Sequence, residues 1–445
     1  MSRNRRALVI GLTAASVGVI YGYDLSNIAG ALLFITDEFH LTIGQQELVM
    51  TAVAVGEIAG ALGGGMLANA IGRKRSMVWV AAGYTVFAAL AAISVSLPML
   101  LAARLLLGVT IGVSVVVVPV FVAESAPAAW RGSLLVAYQV ATVTGIIAGY
   151  LAAYALAGSH NWRVMLGLAA APAALVTLLV LRMPDTARWY LLKGRAADAR
   201  SVLGRVESEA DVEREVTEIT SALSEERGAV LAEMLRRPYL RATVFLVGLG
   251  FFIQITGINA IVYYGPRLLQ AMRFTGNFAL LVVPALIQAA GLMAVAVSMV
   301  LVDRVGRRPI LLTGIGIMIV ADAVLVGAGR SGAAPIAGVA GVLLFTVGFT
   351  FGFGALVWVY AGESLPSRLR SLGSSAMLTA NLIGNALVAG LFLTTLQTLG
   401  SSITFAALGV FAVAAFAFVY RLAPETKGRQ LEEIRHFWEN GGRWA

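Results

Sequence analysis

The sequence is dominated by twelve apolar runs, each long enough to cross a lipid bilayer. A helix of about 20 apolar residues spans the hydrocarbon core of about 30 Å. Only 13% of the residues are charged and 59% are hydrophobic, which is too little charge for a water-exposed surface. We therefore expect an all-α integral membrane protein with twelve transmembrane helices. The runs cover residues 7–32, 46–70, 76–97, 99–124, 132–158, 162–182, 240–271, 277–302, 308–329, 335–364, 370–396 and 401–421.

The distribution of basic residues predicts the orientation of these runs. Of 33 lysines and arginines, all but five fall on one side if both termini are cytoplasmic. Four exceptions, Arg163, Arg267, Arg273 and Arg330, lie in the opposite loops, and Arg104 lies inside a run. We expect a multi-pass protein of the plasma (inner) membrane. A signal peptide is rejected because the first run is too long and eleven more follow.

The chain divides into two halves that share short motifs. We expect a six-helix bundle at 1–182, a cytoplasmic helical linker at 183–239, a second bundle at 240–424 and a tail helix at 425–445. The paired motifs lie at cytoplasmic helix ends in both halves: ESAPAAWR and ESLPSRLR, PDT and PET, GRKR and GRRP. Such a repeat predicts parallel halves, a substrate site between them and alternating access.

Several motifs together resemble one known family. They are DRVGRRP at 303–309, ESAPAAWRG at 124–132, PDTARWYL at 184–191, QITGINAIVYY at 254–264 and PETKGRQLEEI at 424–434. In this order and on these runs, the chain is similar to the sugar porters of the major facilitator superfamily, in particular to bacterial proton-linked symporters. The resemblance implies two pseudo-symmetric six-helix bundles and transport of a small neutral solute.

The resemblance also implies cytoplasmic latches between arginines and carboxylates, placed in facing loops. Their alternative role is to enforce topology and cap helix ends. Asn69 stands where the family usually has an aspartate, which predicts a weaker first-half latch. The latch residues are Arg73, Glu124, Arg131, Asp303, Arg307, Glu363 and Arg370.

Asp24 and Arg104 lie at membrane depth, where ionisable side chains are costly and usually pair. If the pair breaks in one conformation, protonation of Asp24 becomes coupled to conformation. In proton-coupled members of the resembled family, residues at these positions carry the coupling. The alternative is a static ion pair. Glu57 is a weaker coupling candidate, and Asp322 is expected to have a structural partner.

A sugar site needs amides, which both donate and accept hydrogen bonds, and aromatic faces. By their match to family positions, the candidates are Gln139, Gln254, Asn259, Trp358, Asn381 and Asn385, with Tyr263 and Tyr264 as outer gates. Their alternative role is hydrogen bonding between helices. Gly257 would allow the seventh run to break. Ile253, Gly291 and Leu382 depart from the family's usual polar or aromatic residues, so a pentose or a polyol remains open as the substrate.

The leading hypothesis is a transporter that imports a monosaccharide with a proton. The alternatives are a facilitative uniporter and a proton symporter for a polyol such as inositol or another small organic solute. A sugar sensor, a drug exporter and an enzyme fit the sequence less well. With no cysteine and three histidines, a thiolate or histidine-rich metal site is disfavoured. We expect no cofactor besides the coupling proton, no nucleic acid, contact with membrane lipid, and a monomer.

Overall fold

A computed structural model of the chain gives the fold. It describes residues 9, 11–14, 16–125, 128–204, 209–226, 231–237, 239–331, 335–365, 367–429 and 431–444. Within these residues all regular secondary structure is helical. Twelve helical stretches in the described ranges are long and apolar enough to cross a membrane. They correspond one to one with the twelve predicted runs.

The boundaries differ most at the first run. The apolar helical stretch there extends from Gly11 to Phe39, seven residues beyond the predicted end. The polar residues Thr36, Asp37 and Glu38 made the sequence pattern end early, although the backbone stays helical until His40, which adopts a left-handed conformation. Asp24 consequently lies midway along this stretch.

The described chain forms two compact units. One comprises residues 1–41 and 48–227, and the other comprises 42–47 and 228–445. The apolar helices of the first unit are α1 (Val17–Phe39), α2 (Ile43–Ile71), α3 (Arg73–Ala92), α4 (Leu97–Ser125), α5 (Ala128–Ala157), α6 (Trp162–Leu168) and α7 (Ala170–Leu181).

Close backbone contact holds α1 against α5 in the first unit. A Cβ atom at Gly22 would lie 1.8 Å from the Thr142 carbonyl oxygen, and one at Gly145 would lie 2.2 Å from that of Val19. Only glycine permits this approach, as is common where small residues line membrane helix interfaces. The same contact fixes α1, and with it Asp24, relative to α5.

The polar segment after α7 folds into short helices: α8 (Ala187–Leu192), α9 (Ala196–Leu203), α10 (Glu209–Glu226) and α11 (Leu231–Met234). The first three share a small apolar core that includes Ala199, Leu203 and Val216. On its surface Arg200 donates hydrogen bonds to Glu213, and these bonds hold the pKa of the Glu213 carboxyl below its ordinary value.

The second unit contains the remaining apolar helices and the tail. Two π-helical turns, Phe278–Val282 and Thr350–Gly354, interrupt the α-helices. The helices are α12 (Leu240–Ile255), α13 (Ile258–Ala271), α14 (Val283–Val305), α15 (Arg307–Ser331), α16 (Pro335–Phe349), α17 (Ala355–Glu363), α18 (Ser367–Thr398), α19 (Gly400–Leu422) and the tail helix α20 (Leu431–Glu439).

The seventh run is broken at Gly257, as predicted. Gly257 has a φ of +104°, and it separates α12 from α13. A side chain at this φ would be strained, and a Cβ atom would approach Leu408 Cδ1 to 2.7 Å. The break brings Gln254 to the end of one helix and Asn259 to the start of the next.

Candidate functional site

A buried ion pair lies within the first unit. Arg104 Nη1 on α4 donates to Asp24 Oδ1 on α1 at 2.6 Å, and the two residues are 2% and 5% exposed. Removing two charges from water is expensive, and a close charge-assisted hydrogen bond offsets part of this cost. The pairing expected from the sequence is therefore present. Protonating Asp24 would cancel the attraction and leave Arg104 without this counter-charge.

Amide side chains connect the broken helix to α18 within the second unit. Gln254 Nε2 donates to Asn381 Oδ1 at 3.3 Å. Beyond the break, Asn259 Nδ2 on α13 donates at 2.8 Å to Asn385 Oδ1, which lies one helical turn after Asn381 on α18. Asn385 Nδ2 in turn donates to the Tyr263 hydroxyl at 3.1 Å. The structure thus brings five of the sequence-predicted site residues into two hydrogen-bonded groups.

The two groups differ in exposure. Gln254 and Asn381 are both half-buried, and their bond is long. Asn259 and Asn385 are buried, with Asn385 only 1% exposed. A half-buried, weakly held amide pair can exchange its bond for one to a solute hydroxyl at little cost. If Asn259 and Asn385 separated in the same way, their buried amides would be left without hydrogen-bond partners.

Tyr264 continues this series of contacts on α13. Its hydroxyl donates to the Ala389 carbonyl oxygen at 2.5 Å, and its ring stacks on Phe392. The side chain is completely buried. In this conformation both predicted gate tyrosines are held against α18, because Tyr263 accepts a hydrogen bond from Asn385.

The remaining predicted solute-binding residues are Gln139 and Trp358. Gln139 lies half-buried on α5 of the first unit. Trp358 lies on α17, but its side chain is outside the described part. Among the departures from the family pattern, a Cβ atom at Gly291 would lie 3.2 Å from a Thr346 methyl group. An asparagine there would need its neighbours to shift. Ile253 and Leu382 are buried apolar residues.

Where α3 begins and α4 ends in the first unit, Glu124 is the centre of a polar network. Arg73 Nη2 donates to it at 3.1 Å, the Thr186 hydroxyl donates at 2.6 Å, and Arg188 lies 3.6 Å away. Arg73 is itself buried. The presence of Asn69 in place of an aspartate therefore does not leave Arg73 unpaired.

The placement of the latch arginines corrects one expectation. Arg73 and Arg307 are the first residues of α3 and α15, and Arg131 and Arg370 lie within α5 and α18, so none of the four is a loop residue. Gly72 and Gly306 directly precede Arg73 and Arg307, and their positive φ values let the chain turn sharply, so each helix begins at the arginine. Arg307 contacts Asp303 at 3.0 Å, although Asp303 is 77% exposed. The side chains of Arg131, Glu363 and Arg370 are outside the described part.

Two carboxylates that sequence reasoning did not assign cap helices in equivalent positions of the two units. Asp185 Oδ1 accepts hydrogen bonds from the backbone N–H groups of Arg73 and Lys74, at the start of α3. Glu425 accepts from the backbone N–H groups of Arg307 and Arg308, at the start of α15. An anion is favourable where a helix N-terminus leaves N–H groups unpaired.

The capping carboxylates explain the glycines that precede both arginines. A Cβ atom at Gly72 would lie 2.1 Å from Asp185 Oδ2, and one at Gly306 would lie 2.6 Å from Glu425 Oε2. Both glycines also have positive φ values. The sequence signal for these caps was available, because PDT and PET repeat at nearly the same offset, 240 residues, as GRKR and GRRP, which are 234 residues apart.

Comparison with known proteins identifies the family to which the chain belongs. The family profile described as sugar (and other) transporter matches residues 10–438. The chain belongs to this family. It is 34% identical to the galactose-proton symporter of Escherichia coli strain K12, over 95% of this chain and 92% of that protein. It is 31% identical to the arabinose-proton symporter of the same strain, over 97% and 93%.

Among solved structures, the proton:xylose symporter XylE of E. coli bound to 6-bromo-6-deoxy-D-glucose is similar throughout. The TM-score is 0.85 at 23% identity, with 98% of this chain and 100% of that chain covered. The fold is therefore that of the major facilitator superfamily, as the sequence motifs implied. As a member of this family the chain is a multi-pass membrane transporter for sugars or other solutes rather than an enzyme.

Proposed function

We propose that this transporter imports a monosaccharide together with a proton, by alternating access. The observation that carries the proposal is the buried Asp24–Arg104 pair. A membrane-embedded carboxylate held by one arginine can accept a proton only when that contact weakens. Proton binding and the conformation of α1 against α4 are then linked. The names of the related galactose and arabinose symporters support the same coupling ion and solute class.

Gln254 and Asn381 supply the solute contacts from the second unit. They are half-buried and bonded to each other only at 3.3 Å. A sugar hydroxyl both donates and accepts, so it can be inserted between two amides without leaving either one unsatisfied. By their match to family positions, Gln139 and Trp358 are further proposed solute contacts. Asn259 and Asn385 hold the broken helix in place.

Arg73, Glu124 and their counterparts in the second unit act as conformational latches at the cytoplasmic helix ends. The Arg73–Glu124 contact also engages Thr186 and Arg188, which belong to the segment after α7. Breaking it would release the end of α4 from the start of α3. The protein would act as a monomer in the inner membrane, with both termini in the cytoplasm.

The test uses purified protein in liposomes that enclose a pH-sensitive dye. Hexoses, pentoses and polyols are added one at a time, without an imposed pH or voltage gradient. One solute should acidify the interior, and Asp24→Asn should abolish the acidification. Asp37→Asn is the matched control, because Asp37 is an exposed carboxylate on the same helix. It should transport like the wild type.

Uptake of labelled solute without acidification, equal in wild type and Asp24→Asn, would contradict proton coupling and indicate a uniporter. Acidification by a polyol and by none of the sugars would assign the alternative solute class. A solute that Gln254→Ala and Asn381→Ala transport with unchanged KM would contradict the proposed contacts.

A further inference from the structure

Asp322 is a buried carboxyl group in the second unit, far along the chain from the Asp24–Arg104 pair. It lies within α15 in the second unit and is 2% exposed. The sequence predicted a structural partner for Asp322, and this prediction is wrong for the described residues. Neither Oδ1 nor Oδ2 accepts a hydrogen bond from any described group.

The neighbourhood of Asp322 is apolar and tightly packed. Helix α15 packs on α19, α16, α14 and the π-helical turn at 350–354. Opposite Asp322 lies Gly409 of α19, where an added Cβ atom would be 3.3 Å from Asp322 Cβ. At this point the two helices are too close for a long polar side chain to lie between them.

The ionisable residues of these packed elements lie near helix ends. At about 1.5 Å of rise per residue, the fourteen residues from Arg308 to Asp322 correspond to roughly 21 Å along the helix. Arg330 follows eight residues after Asp322. No ionisable residue occurs in the sequence of α16 or of the π-helical turn. The ionisable residues are Arg307, Arg308 and Arg330 on α15, Asp303 and Arg304 on α14, and Tyr420 and Arg421 on α19.

The Asp24–Arg104 pair shows how a buried carboxylate can be compensated. Asp24 has a guanidinium at 2.6 Å, whereas Asp322 has no described donor at all. An isolated carboxylate in a low-dielectric interior is so costly that the group takes up a proton instead. The neutral acid carries no net charge to compensate, and its O–H group can use a backbone carbonyl oxygen as acceptor.

We propose that Asp322 is a proton-binding site of the second unit, independent of Asp24 and occupied by a proton in the conformation described here. Loss of this proton places a negative charge between α15 and α19 beside Gly409. The charge favours separation of the two helices or entry of water. The site therefore makes the stability of the second unit fall as the pH rises, and the proposal does not depend on which solute is transported.

The direct test is infrared spectroscopy of the reconstituted full-length protein in the absence of any solute. The C=O stretch of a protonated carboxylic acid should be present in the wild type and in Asp24→Asn, and one component of it should be lost in Asp322→Asn. Glu57→Gln, which removes another fully buried acid, should retain that component. In the wild type this signal should fade as the pH is raised. An Asp322→Asn spectrum in which a carboxylate band is lost, with the protonated-acid signal unchanged, would overturn the proposal.

Thermal unfolding in lipid provides a second readout. Asp322→Asn replaces the neutral acid by a neutral amide of nearly the same shape, so the variant should fold. As the pH rises above the range in which an ordinary aspartate titrates, the wild type should lose stability, because only the unfolded chain releases this proton. Asp322→Asn should lack this part of the pH dependence. Asp37→Asn should unfold like the wild type at every pH. If Asp322→Asn does not fold, Asp322→Glu takes its place in the infrared measurement, and a protonated-acid signal that is unchanged in Asp322→Glu would overturn the proposal.

If liposomes of the wild type show no proton-coupled uptake, the transport proposal fails while these two measurements remain valid. If uptake is coupled but the infrared signal does not involve Asp322, only this inference fails.

Discussion

Asn381 and Asn385 are the same type of residue, one helical turn apart on α18, yet their environments give them different roles. Asn381 is half-buried and shares one long bond with Gln254. Asn385 is buried and connects Asn259 to Tyr263 through two shorter bonds. The first can exchange partners with a solute, whereas the second holds the helix after the break in position.

This difference gives a prediction for two alanine variants. Asn381→Ala should raise the KM for solute several-fold and leave thermal stability nearly unchanged, because its partner Gln254 is only half-buried and their bond is long. Asn385→Ala should lower stability by about 1–3 kcal/mol, since it leaves buried polar groups unsatisfied. Transport kinetics in liposomes and thermal unfolding in detergent measure the two effects. Equal losses of stability in both variants would refute the distinction.

At the scale of helices, the break at Gly257 is the feature on which the solute contacts depend. It ends α12 just after Gln254 and starts α13 just before Asn259. An unbroken helix would rotate these two side chains by a different angle and would not place both against α18. The conformation needed for the break is one that only glycine adopts without strain.

Gly257→Ala should therefore destabilise the protein by about 1–3 kcal/mol, because alanine is strained at this φ and its Cβ atom would clash with Leu408. Transport should fall as well. Gly316→Ala is the matched control, since Gly316 lies within α15 and an added Cβ atom there meets nothing within 4 Å. The control should stay within about 1 kcal/mol of the wild type. Similar thermal unfolding of both variants would argue against a strained break.

The helix caps at Asp185 and Glu425 also belong to this scale. Replacing either by alanine should cost about 1 kcal/mol, because two backbone N–H groups at the start of α3 or α15 lose their acceptor. Asp198→Ala, in an exposed ion pair of the linker, should cost less than about 1 kcal/mol. Thermal unfolding of the three variants tests this order. If Asp198→Ala were the most damaging, the caps would have no special role.

At the scale of the whole molecule, the positions of basic residues predict which loops face the cytoplasm. The chain has no cysteine, so a single introduced thiol reports on one position without background. Ser159, exposed between α5 and α6, is predicted to lie outside, and exposed Ser201 of the linker is predicted to lie inside.

In intact cells, a membrane-impermeant maleimide should label Ser159→Cys and leave Ser201→Cys unlabelled. Opening the cells should make both thiols react. This follows because the many basic residues flanking the linker disfavour its translocation across the membrane. Labelling of Ser201→Cys in intact cells would reverse the orientation and, with it, the proposed direction of transport.

The sequence predicted the depth of residues in the membrane better than their lateral contacts. Hydropathy identified all twelve spans, and the single glycine at 257 located the break. The pairing of Gln254 with Asn381 depends on how α12 and α18 are rotated about their axes, which weakly amphipathic membrane helices do not encode in a readable pattern. The prediction of a structural partner for Asp322 was wrong for a related reason. Burial of an acid within an apolar run does not specify whether it is satisfied by a partner or by a proton.

The two carboxylate caps have a consequence for biosynthesis. Asp185 follows the last apolar helix of the first unit and caps the start of the third span of that unit. All residues that form this cap therefore lie in the first 185 residues of the chain. The ribosome has synthesised these residues before any span of the second unit exists. The cap at Asp185 can consequently form during translation and complete the packing of the first bundle. The equivalent cap of the second bundle can form once Glu425 has left the ribosome. A stalled chain that ends before residue 185 would lack this closure and should be degraded faster than one that ends within the linker.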